Sequence, residues 1–184
     1  MTVAPPDPSL PGVRLVWCTF EVTRNPLRRS SPALRRRLHA LSDRHSGARA
    51  ITQATREIPD AYRRLFRSLG QLERRSPAEE LTLKRLIRGQ FRSRGVLRDA
   101  LVIATVDTEV GVWALDAGHL HGDPRLTDGA IADDSGPIAA AFDEPEAVSR
   151  STRRLVLYAL TAPDVPDVAV TEALYTAWEV IDSA

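Results

Sequence analysis

Cysteine, lysine and long apolar runs are nearly missing from this chain, and each shortage excludes something. One cysteine, Cys18, can form neither an internal disulfide nor a thiolate metal site. The longest apolar stretches, such as ALVIATV at residues 100–106, are far too short to span a bilayer. The opening MTVAPPDPSLPG has no basic n-region and no apolar h-region, so a secretory signal is not expected. Together these features point to a soluble cytoplasmic protein. Lysine occurs once, as Lys84, so every other side-chain cation apart from histidine is arginine. That bias fits a plain Arg-for-Lys preference. It also fits a surface that meets phosphate, which the planar guanidinium fork suits.

What the chain does have is 184 residues with 43% hydrophobic composition, enough for one domain with a buried core. Its net charge of +1 conceals a division. Residues 24–98 carry 20 Lys+Arg against 6 Asp+Glu, whereas residues 99–184 carry 4 against 16. The halves either neutralise one another across the fold or leave a positive face for an anionic partner.

The β-forming run GVRLVWCTFEVT predicts a strand. Pro32 suits the first turn of a helix in which Leu34, Leu38 and Leu41 share a face. PDAYRRLFRSLG repeats that spacing with Tyr62, Leu65, Phe66 and Leu69, and Gly70 ends it as a C-cap. In SPAEELTLKRLIRG, Ser76, Pro77 and Glu79 spell a capping box closed by Gly89. VLRDALVIATVDT places Leu97, Ala100, Leu101, Ala104 and Thr108 on one helical stripe; its β-branched content also admits a strand. Gly111 breaks that helix, and VWAL makes a short strand ending at Asp116. AIADDSGPIAAAF predicts a hairpin about its DDSG turn, and RRLVLYALTA a further strand. Asp167 is expected to cap a last helix with Val170, Leu174, Ala177, Trp178 and Ile181 on its inner face. The expected class is α+β, with helices packed on layered mixed sheets, the whole forming a single domain over residues 1–184. Within it, 1–57 form an N-terminal strand and basic helical part.

Over residues 58–181 the chain resembles the B3/B4 editing domain of the bacterial phenylalanyl-tRNA synthetase β subunit, in a small freestanding form. The likeness rests on order and spacing. Asp99 opens a helix, a glycine turn follows, and VWALD then ends at Asp116, as in a family strand of the type LHAFD. AIADDSGPIAAAF resembles the family's VIAD…LALAG segment, and STRRLVLYAL resembles the strand after it. The resemblance implies an α+β editing-type fold, transfer RNA or aminoacyl-tRNA as partner, no cofactor, and hydrolysis of an ester at the RNA 3′ end. It implies a substrate pocket at Trp113, Asp116, Pro137, Ile138, Ala139 and Ala140. Trp113 stands where the family has a histidine. The segment AGHLHGDPRLTDG is too short to hold the family's glutamate, so the family's tyrosine specificity is not expected here.

In that shortened segment His119 and His121 are the candidate general bases. With Asp123 they form an alternative metal set, the basis of a small metal-assisted hydrolase; as surface loop residues they need no function. Ser135 reads as a turn residue, and Asp99 and Asp116 as capping or loop carboxylates. Trp113 is either core or a platform for a nucleobase. Arg92, Arg94 and Arg98 are the RNA-binding candidates, supplying salt-sensitive affinity for phosphate. A non-catalytic module binding RNA or an amino acid on the same scaffold is the other reading.

Overall fold

The computed structural model describes residues 1–45, 52, 55–145 and 148–184. In chain order it contains β1 (Thr2–Val3), β2 (Arg14–Glu21), α1 (Pro32–Arg44), α2 (Glu57–Ser68), α3 (Pro77–Arg88), α4 (Val96–Thr108) and β3 (Val112–Asp116). A 3-10 turn (Ala117–His119) then leads to β4 (Arg125–Thr127), β5 (Ala130–Asp133), β6 (Gly136–Ala140), β7 (Arg154–Thr161) and α5 (Asp167–Ser183). The strands make two sheets, ordered β1-β2-β7-β3 and β4-β5-β6. The class is α+β as expected. The expected mixed sheets are not found among the described residues, where every strand pair is antiparallel. The reason is topological: no helix serves as a crossover between parallel neighbours, and β3 meets β7 head to tail even though α4 precedes it.

The last strand holds the larger sheet together. Strand β7 lies between β2 and β3, with Trp17 and Trp113 both opposite Tyr158. All its residues from Leu155 to Thr161 are buried, so β7 is covered on both faces, and its near-continuous apolar sequence follows from that. Helices α4 and α5 pack along each other, and α5 reaches β2, β3 and β7. The hydroxyl of Tyr62, on α2, donates to the Leu160 carbonyl at 2.7 Å. Burial pushes that phenol well above its ordinary pKa, so it remains a donor. Among the described residues no helix is long and apolar enough to cross a membrane.

Local chemistry explains most element ends. Ser31 caps α1, accepting from Leu34 N with Pro32 in the first turn. The capping box of α3 is complete: Glu79 N donates to Ser76 Oγ at 3.3 Å, and Ser76 N donates to Glu79 Oε2 at 3.0 Å. Arg63 also grips the Glu79 carboxylate with two nitrogens, which ties α2 to α3. Gly70 does take a left-handed φ of 75°, but the C-cap itself is Leu69, one residue earlier. Two expected boundaries are wrong. Helix α4 ends at Thr108 and turns through Glu109 at φ 64°, before Gly111; the buried Glu109 carboxylate is anchored by Arg56 at 2.8 Å, which holds the turn. The N-cap of α5 is Pro166, with no side-chain bond; Asp167 is the first helical residue and pairs with Arg14 on β2. Strand β4 was not expected. It pairs with β5 through Asp128 (φ 51°) and Gly129 (φ 75°), the Asp-Gly pattern of a type I′ hairpin turn.

Candidate functional site

The basic and acidic halves do meet. Five ion pairs join them among the described residues: Arg44–Asp107, Arg56–Glu109, Arg64–Asp164, Arg74–Asp143 and Arg98–Glu144. Neutralisation accounts for part of the charge division. A further group of cations lines a cleft.

This cleft has a volume of about 590 Å³ and lies between α3, the loop 89–95, the start of α4, the N-terminal end of β3 and residues 142–144. Its lining includes Arg74, Arg75, Lys84, Arg85, Arg88, Arg92, Arg94 and Arg98 against Glu80, Asp99, Asp143 and Glu144, an excess of cations. The helix supplies Lys84, Arg85 and Arg88 because its apolar face is short and its remaining faces are free to be charged.

Aromatic rings form the apolar part of the lining. Trp113 is 8% exposed and stacks on Tyr158 with ring centroids 5.7 Å apart. Phe142 meets Trp113 at 6.3 Å and Phe66 at 5.1 Å, both edge to face. The guanidinium carbon of Arg74 lies 5.2 Å from the Phe66 centroid and 5.8 Å from that of Phe142, a cation–π arrangement. Gly111 makes the floor possible: a Cβ there would overlap the Trp113 ring and Pro77. Phe142 holds a left-handed φ of 66°, uncommon for a bulky residue and costing about 1–3 kcal/mol. Its ring contacts on three sides hold it there.

Asp99 positions the basic loop. It is 2% exposed and accepts from Ser30 Oγ at 2.6 Å, Ser93 Oγ at 2.6 Å and Arg94 N at 2.9 Å. The first N–H groups of α4 are taken by backbone carbonyls, Val96 N by Arg28 and Leu97 N by Pro26. The arginines therefore project from a loop fixed at both ends. Ser42 Oγ fixes it further, accepting from Phe91 N and Arg85 Nε, each at 3.2 Å.

Compared with protein-family models, curated proteins and solved structures, the chain matches none.

The expected site residues divide. Trp113 and Arg92, Arg94 and Arg98 line one cleft. Asp116, Pro137, Ile138, Ala139 and Ala140 do not line it, although Phe142, Asp143 and Glu144, just beyond the alanine-rich strand, do. Asp116 is a buried structural group: it accepts from Gly118 N at 2.9 Å and from the Thr152 hydroxyl, capping the 3-10 turn. His119 and His121 are exposed, with His119 Nδ1 3.9 Å from Asp116 Oδ2. Among the described residues no group of three or more His, Cys, Asp or Glu side chains forms a metal site, so His119, His121 and Asp123 do not assemble one. The reason is local: His121 uses its backbone N–H to cap Asp133 at 2.8 Å, and its ring is left in solvent. Ser135 is a turn residue, donating its backbone N–H and hydroxyl to Asp133.

Residues 74, 75, 84, 85, 88 and 142 escaped the sequence reading. The spacing of Lys84, Arg85 and Arg88 beyond a capped helix start carried a signal for three of them. Phe142 carried none, since only its backbone conformation turns it into the cleft.

Proposed function

We propose that this chain is a domain of the B3/B4 type that binds the 3′ end of transfer RNA, charged or uncharged, in the cleft above Trp113. The observation that carries this reading is the convergence of Trp113, Phe66 and Phe142 with Arg92, Arg94 and Arg98 in one hollow. Aromatic faces stack on bases or on an aminoacyl side chain, and guanidinium groups meet phosphate without reading sequence. The volume of about 590 Å³ lies in the range of sites that enclose a small organic group. Hydrolysis of an aminoacyl ester rests on the resemblance alone; it would need a positioned water and donors for the developing oxyanion.

The test is a titration of labelled transfer RNA with the purified protein across a salt series, for the native chain and for R92E/R94E. Binding that weakens steeply with salt, and falls at least tenfold in the double variant, supports the reading. Absence of salt-sensitive binding, or a double variant that binds equally well, ends it. The same samples incubated with a panel of aminoacyl-tRNAs report turnover as loss of ester.

A further inference from the structure

We propose that the cleft is built for a ligand carrying several phosphates in a row, a single-stranded nucleic-acid end of about three or four nucleotides, with Asp143 and Glu144 standing in for two of those phosphates when it is empty. This rests on the function proposed above and specifies how much of the strand the site grips.

The cations around the cleft fall into two sets. Arg75, Arg88, Arg92 and Arg94 are exposed, and none of their side chains forms an ion pair or hydrogen bond among the described residues. Arg74, Lys84, Arg85 and Arg98 are occupied: Lys84 by Glu80 and Arg85 by Ser42 Oγ close by on the fold, Arg74 by Asp143 at 2.6 Å and Arg98 by Glu144. Asp143 and Glu144 are neighbours on one segment, directly after the strained Phe142.

Geometry sets the ligand's length. Arg75 precedes and Arg88 ends α3, a helix of 12 residues. At about 1.5 Å rise per residue the helix runs roughly 16 Å from Pro77 to Arg88, and Arg75 lies two residues before it. A single phosphate meets both ends only if the two side chains stretch towards one point beside the middle of the helix, whereas a short chain of phosphodiesters meets each end where it lies.

Chemistry sets the role of the acids. Ion pairs between exposed side chains are weak, and the Asp143 and Glu144 side chains are each more than half exposed. A phosphate offers a guanidinium the same bidentate geometry as a carboxylate, and a strand brings several at once along a groove whose other arginines are open, so an incoming strand exchanges with the carboxylates. Phe142 remains in the floor while the side chains behind it let go.

The experiment measures anisotropy of labelled oligoribonucleotides of one to six residues, with the native protein, R75A, R88A, D143N and E144Q. Thermal melts confirm that each variant is folded. Affinity should climb with length and level off near four nucleotides. The slope of log K against log salt should be about −3 for four contacts, at roughly −0.7 per phosphate for single strands. R75A and R88A should each flatten it by about 0.7. D143N and E144Q should tighten binding two- to fivefold, the opposite of the usual effect of removing an ion pair. A mononucleotide that binds as tightly as a tetranucleotide overturns the inference, as do folded D143N and E144Q proteins whose affinity is unchanged or weaker. In either case transfer RNA binding that still depends on Arg92 and Arg94 leaves the proposed function standing. Loss of all RNA binding removes both.

Discussion

The arginines of the cleft and the three-stranded hairpin sheet lie on either side of Trp113 in sequence, and the two regions treat their polar residues in opposite ways. In the hairpin region the side chains that look most chemical are consumed by structure. Asp133 accepts from Ser135 Oγ, Ser135 N and His121 N. Asp7 accepts from Ser9 N, Ser9 Oγ and Gly129 N, pinning the amino-terminal arm to the β4–β5 turn. In the cleft the side chains that look bland, a run of arginines, are left open, and the single buried carboxylate, Asp99, serves to aim them. Residue type is therefore a poor guide to availability. What matters is whether a polar group's hydrogen-bonding capacity is spent inside the fold.

The strongest way to sharpen this contrast is to remove one buried carboxylate that aims the cleft and one that serves structure alone, on the strand leading to the hairpin sheet. Asp99→Ala orphans two hydroxyls and a backbone N–H, and Asp116→Ala orphans the Gly118 N–H and the Thr152 hydroxyl. Each should cost about 1–3 kcal/mol of stability, measured by denaturant unfolding. Only Asp99→Ala should also weaken RNA binding at temperatures where both variants are folded. Equal binding by the two would break the comparison.

A smaller effect is expected in acid. The Ser135 hydroxyl first, then the His121 and Ser135 backbone N–H groups, hold Asp133 down to about 2 against the opposing effect of burial. Its unfolded value is about 3.9. A depressed folded pKa stabilises the protein fully above the unfolded value, and that contribution is lost as pH falls through about 2. Ser135→Ala should move the acid-unfolding midpoint to higher pH, because without its largest lowering cause Asp133 contributes less stability above the unfolded value. Superimposable acid curves for the two proteins would show that the hydroxyl does not set this pKa.

The smallest effect belongs to the two histidines that invite a catalytic reading. His119→Ala and His121→Ala should each stay within about 0.5 kcal/mol of the native stability, with RNA binding and salt slope unchanged. A histidine variant that abolished ester turnover while leaving binding intact would transfer the chemistry to the hairpin side.

Much of the fold was legible because local signals agreed with tertiary need. The capping box at Ser76 and Glu79, the Leu34–Leu38–Leu41 stripe and the alternating run around Trp17 all formed the elements they spelled. Misreadings arose where tertiary contacts overrode local preference. Glu109 takes a turn that glycine would ordinarily fill, because Arg56 holds its carboxylate. Strand β4 hid behind the histidines, although the Asp-Gly pair at 128–129 marked its hairpin. For the site, Trp113 and the arginines of 92–98 could be named from sequence, since aromatic and basic residues clustered near a recognisable segment. Their common cleft could not, because it depends on Phe142 turning inward from a backbone conformation that nothing in AAAFDE announces.

The central place of β7 carries a consequence for how the molecule is made. Arg14 pairs with Thr161, and among the described residues β3 finds its strand partner in that late strand alone. During synthesis the early strands must wait, with unpaired edges, until nearly the whole polypeptide has emerged, while the intervening helices can form at once. Such long-range pairing makes folding slow, and a chain halted before residue 154 would present bare strand edges suited to aggregation.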